Sequence, residues 1–124
     1  MNACSCLRKE PEFHFCESEF VSVVKIGTRH QESELKILYD FTVERVLRAT
    51  ENGTKALTSR RLLTAGNSAM CGVFLEEGKE YVITGSVDTD GNPRVNLCNY
   101  HGLWSDVSED VKKGFLGGYK CSNK

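Results

Sequence analysis

Leu35, Ile37, Tyr39, Phe41 and Val43 take every second position without a break, which predicts a strand with one buried face over residues 35–43. Upstream, FVSVVKIG (residues 20–27) is dense in β-branched and aromatic side chains and predicts an earlier strand with Gly27 near its end. ATENGTKA (49–56) reads as a turn pivoting on Asn52-Gly53. RRLLTAG (60–66) predicts a third strand ended by Gly66. EYVITGSVD (80–88) and PRVNLCN (93–99) predict a fourth and a fifth, joined by TDGN, a hairpin signal followed by Pro93.

Two stretches carry helical signals. Residues 12–18 suit a short helical turn around Cys16. Residues 106–116 pair Asp106 with Glu109 in a capping box, and Val107, Val111 and Phe115 recur at helical spacing. Gly117-Gly118 then stops the helix before Cys121. Trp104, the single tryptophan, is expected to be core and to close one end of the fold. Five strands, flanking helices and no internal repeat predict a mainly β domain spanning residues 1–124: a small closed barrel of the five-stranded, OB-like Greek-key type.

Six cysteines in 124 residues change the picture more than the rest of the composition does. Their pattern, C-x-C-x9-C-x54-C-x26-C-x22-C, contains one close pair, and His14, His30 and His101 stand at no ligand spacing. A metal held within the chain is therefore disfavoured, and the even count predicts three disulfides in an oxidising compartment. In an extended segment Cys4 and Cys6 lie on one face about 6.5–7 Å apart, and a bond between them would close a strained ring. Each is then tied to a distant cysteine, and the N-terminus is pinned twice. Spacing alone leaves the partners open.

The remaining composition mostly excludes. A net charge of −1 gives no argument for a nucleic acid or an anionic membrane partner. Arg60-Arg61, Lys112-Lys113, Glu32–Glu34 and Glu76-Glu77 read as solvated charge. No apolar run approaches the ~20 residues of a membrane span. No nucleophile–base order and no glycine-rich phosphate loop stands out, so neither an enzyme nor a cofactor is expected. Asn52-Gly53-Thr54 is an N-glycosylation sequon on the expected turn, making Asn52 a candidate acceptor.

The cysteine order, the opening CSC, and the segments HFCESEFVSVVKIGT, AMCGVF and CNYHGLWSDVSEDVKKGF resemble the N-terminal, inhibitory domain of the tissue inhibitors of metalloproteinases. The similarity runs from Cys4 to Cys121, and the wider family, the netrin-like module, has an OB-like barrel with flanking helices. The resemblance implies the pairs Cys4–Cys71, Cys6–Cys98 and Cys16–Cys121. It further implies that the α-amine and carbonyl of Cys4 grip the catalytic zinc of a target protease. A catalytic zinc keeps one open position, and an α-amine with a pKa near 8 gives up its proton at little cost.

In that pose Ser5 enters the main specificity pocket, Cys6 anchors the wedge, and Leu7 and Arg8 continue along the cleft. Asn67, Ser68, Ala69 and Met70 form the second edge. Where the family usually has prolines after Cys-x-Cys, this chain has Leu7, Arg8, Lys9 and Glu10, so the rim is charged. Zinc chelation needs Cys4 to be the first residue, so Met1-Asn2-Ala3 is expected to be foreign to the mature protein. Ala3 suits the position before a signal-peptidase cut. The chain ends three residues after Cys121 and is expected to be a secreted, single-domain, monomeric inhibitor of extracellular zinc metalloproteases. The alternative is a non-inhibitory netrin-like module that engages another extracellular protein.

Overall fold

A computed structural model describes residues 4–122. Helix α1 (Pro11–Glu17) leads into two long strands, β1 (Phe20–Ser33) and β2 (Lys36–Ala49). Helix α2 (Glu51–Leu57), β3 (Arg61–Ala65), β4 (Glu80–Val87), β5 (Pro93–Arg94) and β6 (His101–Leu103) come next, and α3 (Glu109–Lys113) lies near the C-terminus.

The first strand explains the architecture. Phe20, Val21, Ser22, Val23 and Val24 are all buried, which alternation on a one-sided sheet would not give. Phe20, Val24 and Ile26 point into the barrel with Tyr39, Phe41, Leu62 and Ile83. Val21 and Val23 face outward, where Phe15, Val107 and Phe115 from the flanking helical segments cover them. Strand β1 is thus sandwiched between two apolar clusters, and its near-continuous apolar run reflects that.

The strands close in the order β1-β2-β3-β5-β4, with β4 returning to β1, and β6 adds to β4 beyond β5. Among the described residues only the β3–β5 pairing is parallel, joining Leu63 to Arg94. This is the five-stranded OB-like ring that the sequence predicts. No helix among the described residues is long and apolar enough to cross a membrane.

Several expectations need correction. Leu35 is 63% exposed because it occupies the turn between β1 and β2, and the buried alternation starts at Ile37. Both strands run further than expected, pairing with each other from Phe20–Ala49 to Ser33–Lys36 as one long hairpin. The expected turn at Asn52-Gly53 is helix α2. Thr50 caps it, its Oγ1 accepting from the Gly53 amide at 3.0 Å. Gly53 is needed for packing, because a Cβ there would collide with the carbonyl oxygen of Glu19.

The fifth strand stops at Arg94, although the Val95 amide still donates to the Leu63 carbonyl. The chain then turns at Asn96–Asn99 and resumes as β6. Near the C-terminus the cap is Ser108, whose Oγ accepts from the Val111 amide at 3.3 Å, and the Asp106/Glu109 box does not form. Val107 and Phe115 are buried as expected. Trp104 is only half-buried: it packs on the outer cluster and carries the Lys112 ammonium 5.0 Å from its ring centre.

Candidate functional site

Residues 4–10 form an extended strap at the surface. Among the described residues no backbone–backbone hydrogen bond ties residues 4–9 to the barrel. Two disulfides do so instead, Cys4–Cys71 and Cys6–Cys98, with Cα separations of 5.1 and 5.3 Å. A third, Cys16–Cys121, staples α1 to the C-terminal segment. These are the pairs that the resemblance implies. The first two abut, with the Cys4 sulfur 4.0 Å from that of Cys6 and 3.9 Å from that of Cys98. Cys4, Cys71 and Cys98 have sulfurs within 4.8 Å of one another, but each is consumed in a disulfide and offers no thiolate to a metal.

The second edge is built from the end of β3. After Ala65 the chain makes a short helical turn at Ser68–Met70, capped by Asn67, whose Oδ1 accepts from the Met70 amide at 3.0 Å. The Asn67 carbonyl also accepts from the Gly72 amide at 2.9 Å. Cys71 sits in the left-handed region at φ 68°, a conformation that costs a non-glycine residue about 1–2 kcal/mol. That bend aims the Cys71 side chain at Cys4. Gly72 has no alternative, since a Cβ would strike the Ala65 carbonyl oxygen.

Buried hydroxyls hold the segment just after Cys71. Tyr39, fully buried, donates to the Val73 carbonyl at 3.2 Å and accepts from the Leu75 amide at 2.9 Å. Thr64 Oγ1 accepts from the Val73 amide at 3.0 Å. The edge is therefore bolted to the barrel interior on the side away from the strap. The sequence marked Tyr39 as core and held no sign of this second task.

The structure brings Cys4 and Asn67–Cys71 into one exposed ridge. Ser5, Leu7 and Arg8 are exposed, and their side chains make no hydrogen bond or ion pair among the described residues. Leu7 is 82% exposed, an unusual setting for a leucine. Ser68, Ala69 and Met70 are exposed on the other edge. Sequence reasoning missed Leu97, 39% exposed next to Cys98, and Phe74, 72% exposed three residues after Cys71. Their signal was an apolar residue next to or shortly after a cysteine, but strand alternation would have buried Leu97.

Beneath the strap lies a hollow of about 450 Å³ lined by Leu7, Arg8, Lys9, His14, Leu97 and Tyr100, among others. Burial lowers the pKa of His14 and raises that of Tyr100. Met1-Asn2-Ala3, which bear on whether Cys4 has a free amine, lie outside the described residues.

A model of the family described as tissue inhibitor of metalloproteinase matches residues 2–124. The chain is 30% identical to a tissue inhibitor of metalloproteinase of Drosophila melanogaster over 98% of its length and 57% of that protein's. It is 32% identical to metalloproteinase inhibitor 4 of Mus musculus over 86% of its length and 50% of the relative's. With metalloproteinase inhibitor 2 of Homo sapiens the identity is 28%, covering 96% of this chain and 57% of the other. The chain belongs to the tissue inhibitor of metalloproteinase family. It spans about half the length of the curated relatives it matches.

Proposed function

We propose that this protein is a secreted inhibitor of zinc metalloproteases that acts through the strap and its neighbouring edge. One observation carries the reading: the solvent-exposed segment 4–9 is held by two abutting disulfides and, among the described residues, makes no backbone–backbone hydrogen bond to the barrel. Such a segment lays its amides and carbonyls along a cleft as a substrate would. Because the bridges have already ordered it, little conformational entropy is lost on docking.

Cys4 is the residue proposed to meet the zinc, through its α-amine and its carbonyl oxygen, as a bidentate ligand in the open coordination position. Ser5 would enter the specificity pocket, Cys6 hold the strap, and Leu7 and Arg8 run along the cleft. Asn67, Ser68, Ala69 and Met70 would press on the opposite rim. This chemistry requires mature protein that begins at Cys4, because an amide nitrogen is a poor zinc ligand. The family membership supports the inhibitor class, and the exposed Cys4 ridge supports the contact surface.

The test is a panel of zinc metalloprotease catalytic domains assayed against protein that starts at Cys4. Inhibition of at least some members is expected, with one inhibitor per protease. Inactivity across the panel at micromolar concentration would replace this reading with a netrin-like module that binds another extracellular protein.

A further inference from the structure

Helix α2 holds a feature outside the proposed protease contact. Asn52 and Thr54 are both exposed, and neither side chain makes a hydrogen bond among the described residues. Gly53 between them is buried against the Glu19 carbonyl. The tripeptide Asn-Gly-Thr therefore turns its amide and its hydroxyl to solvent and spends only its middle residue on packing.

Its position matters as much as its exposure. Strand β3 is entered from α2 at Arg61 and left at Ala65 towards Asn67–Cys71. Parallel to it, β5 leads towards Cys98. Along the chain, α2 precedes β3 and the Cys71 anchor follows it. Gly53, next to Asn52, packs on Glu19, which lines one hollow together with Leu7 and Cys98.

We propose that Asn52 is an N-glycosylation site, occupied by an oligosaccharide when the chain passes through a eukaryotic secretory compartment. The inference rests on the secretion proposed above. The donor class is an oligosaccharide carried on a lipid pyrophosphate. The Asn52 amide nitrogen forms a bond to the sugar's anomeric carbon as the bond from that carbon to the pyrophosphate oxygen breaks. The lipid pyrophosphate leaves with the electron pair, and the amide proton passes to a base of the transferase. Transfer takes place on the extended chain before α2 forms. Folding then leaves the glycosylated Asn52 on the exposed face.

The experiment is secretion from a eukaryotic cell with a cleavable leader ahead of Cys4, then intact mass with and without peptide N-glycosidase. The expected result is a mass above that of the sequence, which the glycosidase removes while converting Asn52 to aspartate. Asn52→Gln and Thr54→Ala should each abolish the added mass, and Thr54→Ser should retain it. Secreted, fully disulfide-bonded protein with Asn52 unmodified overturns the proposal, as does added mass that survives Asn52→Gln. No protease enters this readout, so its failure is separate from failure of the inhibitor reading.

Discussion

The Leu97 amide donates to the Cys71 carbonyl at 2.9 Å, so the two segments that anchor the strap are joined to each other as well as to it. Cys71 takes Cys4, and Cys98, next to Leu97, takes Cys6. The N-terminus is therefore gripped by one continuous ledge and not by two independent points. Replacing both Cys6 and Cys98 by alanine opens a bridge spanning 92 residues of sequence, at a cost of about 2–5 kcal/mol. Chemical denaturation should show that loss, and limited proteolysis should show new cleavage within residues 5–10. Unchanged resistance to proteolysis would mean that Cys4–Cys71 alone orders the strap.

The Tyr39 hydroxyl links core stability to the second edge. Tyr39→Phe keeps the ring but strands the Val73 carbonyl and the Leu75 amide in the core, which costs about 1–3 kcal/mol. Because these groups come directly after Cys71, inhibition should weaken mainly through faster dissociation. Urea unfolding and dissociation kinetics measure the two effects separately.

The outer cluster ranks two aromatic residues against each other. Phe115 is fully buried and meets Phe15, Tyr100 and Tyr119 at ring separations of 5.3–5.8 Å. Phe115→Ala should cost about 3–5 kcal/mol. Trp104 is half-exposed and should cost clearly less on replacement by alanine. Equal losses in a melting comparison would put the tryptophan back in the core.

His14 gives a pH dependence of definite sign. Burial lowers its folded-state pKa, so the unfolded chain binds the proton more readily. The stability it contributes is full above the ordinary histidine value of about 6.5 and is lost as pH falls through the lowered one. Arg8 and Lys9 outnumber Glu10 along the same hollow, so its lining does not favour a positive His14. His14→Gln should flatten the stability profile as pH falls below about 6.5, relative to the parent. A parallel profile would remove His14 as its source.

These residues also show what the sequence could convey. Ile37, Tyr39 and Phe41 alternate because a barrel strand has two faces, and that period is visible in any one-dimensional reading. Gly53 misled because glycine serves both turns and close packing, and the Glu19 carbonyl it avoids is far away in sequence. Cysteine spacing announced bridges without naming partners, since pairing is decided by where the ring of strands brings β3 and β5. Leu97 and Phe74 were invisible as surface features for a related reason. Leu97 is exposed because the chain leaves the barrel after Val95, and Phe74 because it points out between the buried Val73 and Leu75.

Charge on the strap should tune association. Arg8 and Lys9 stand where the family usually has prolines, and both are exposed. Reversing both to glutamate should slow association with proteases whose clefts carry an acidic rim, and the difference should shrink as salt is raised. Stopped-flow association at two ionic strengths reads this, and rates that do not respond would assign both residues to plain solvation.

The proposed inhibition turns on one nitrogen. Two proteins that differ only in whether Ala3 precedes Cys4 should be assayed side by side against the same zinc metalloprotease. With Cys4 first, its amine and carbonyl are available to the zinc, and tight inhibition is expected. With Ala3 retained, the amine becomes an amide and affinity should fall about a hundredfold or more, equivalent to about 2.7 kcal/mol. Equal inhibition by the two forms would contradict chelation by Cys4, however well the barrel and its disulfides agree with the family.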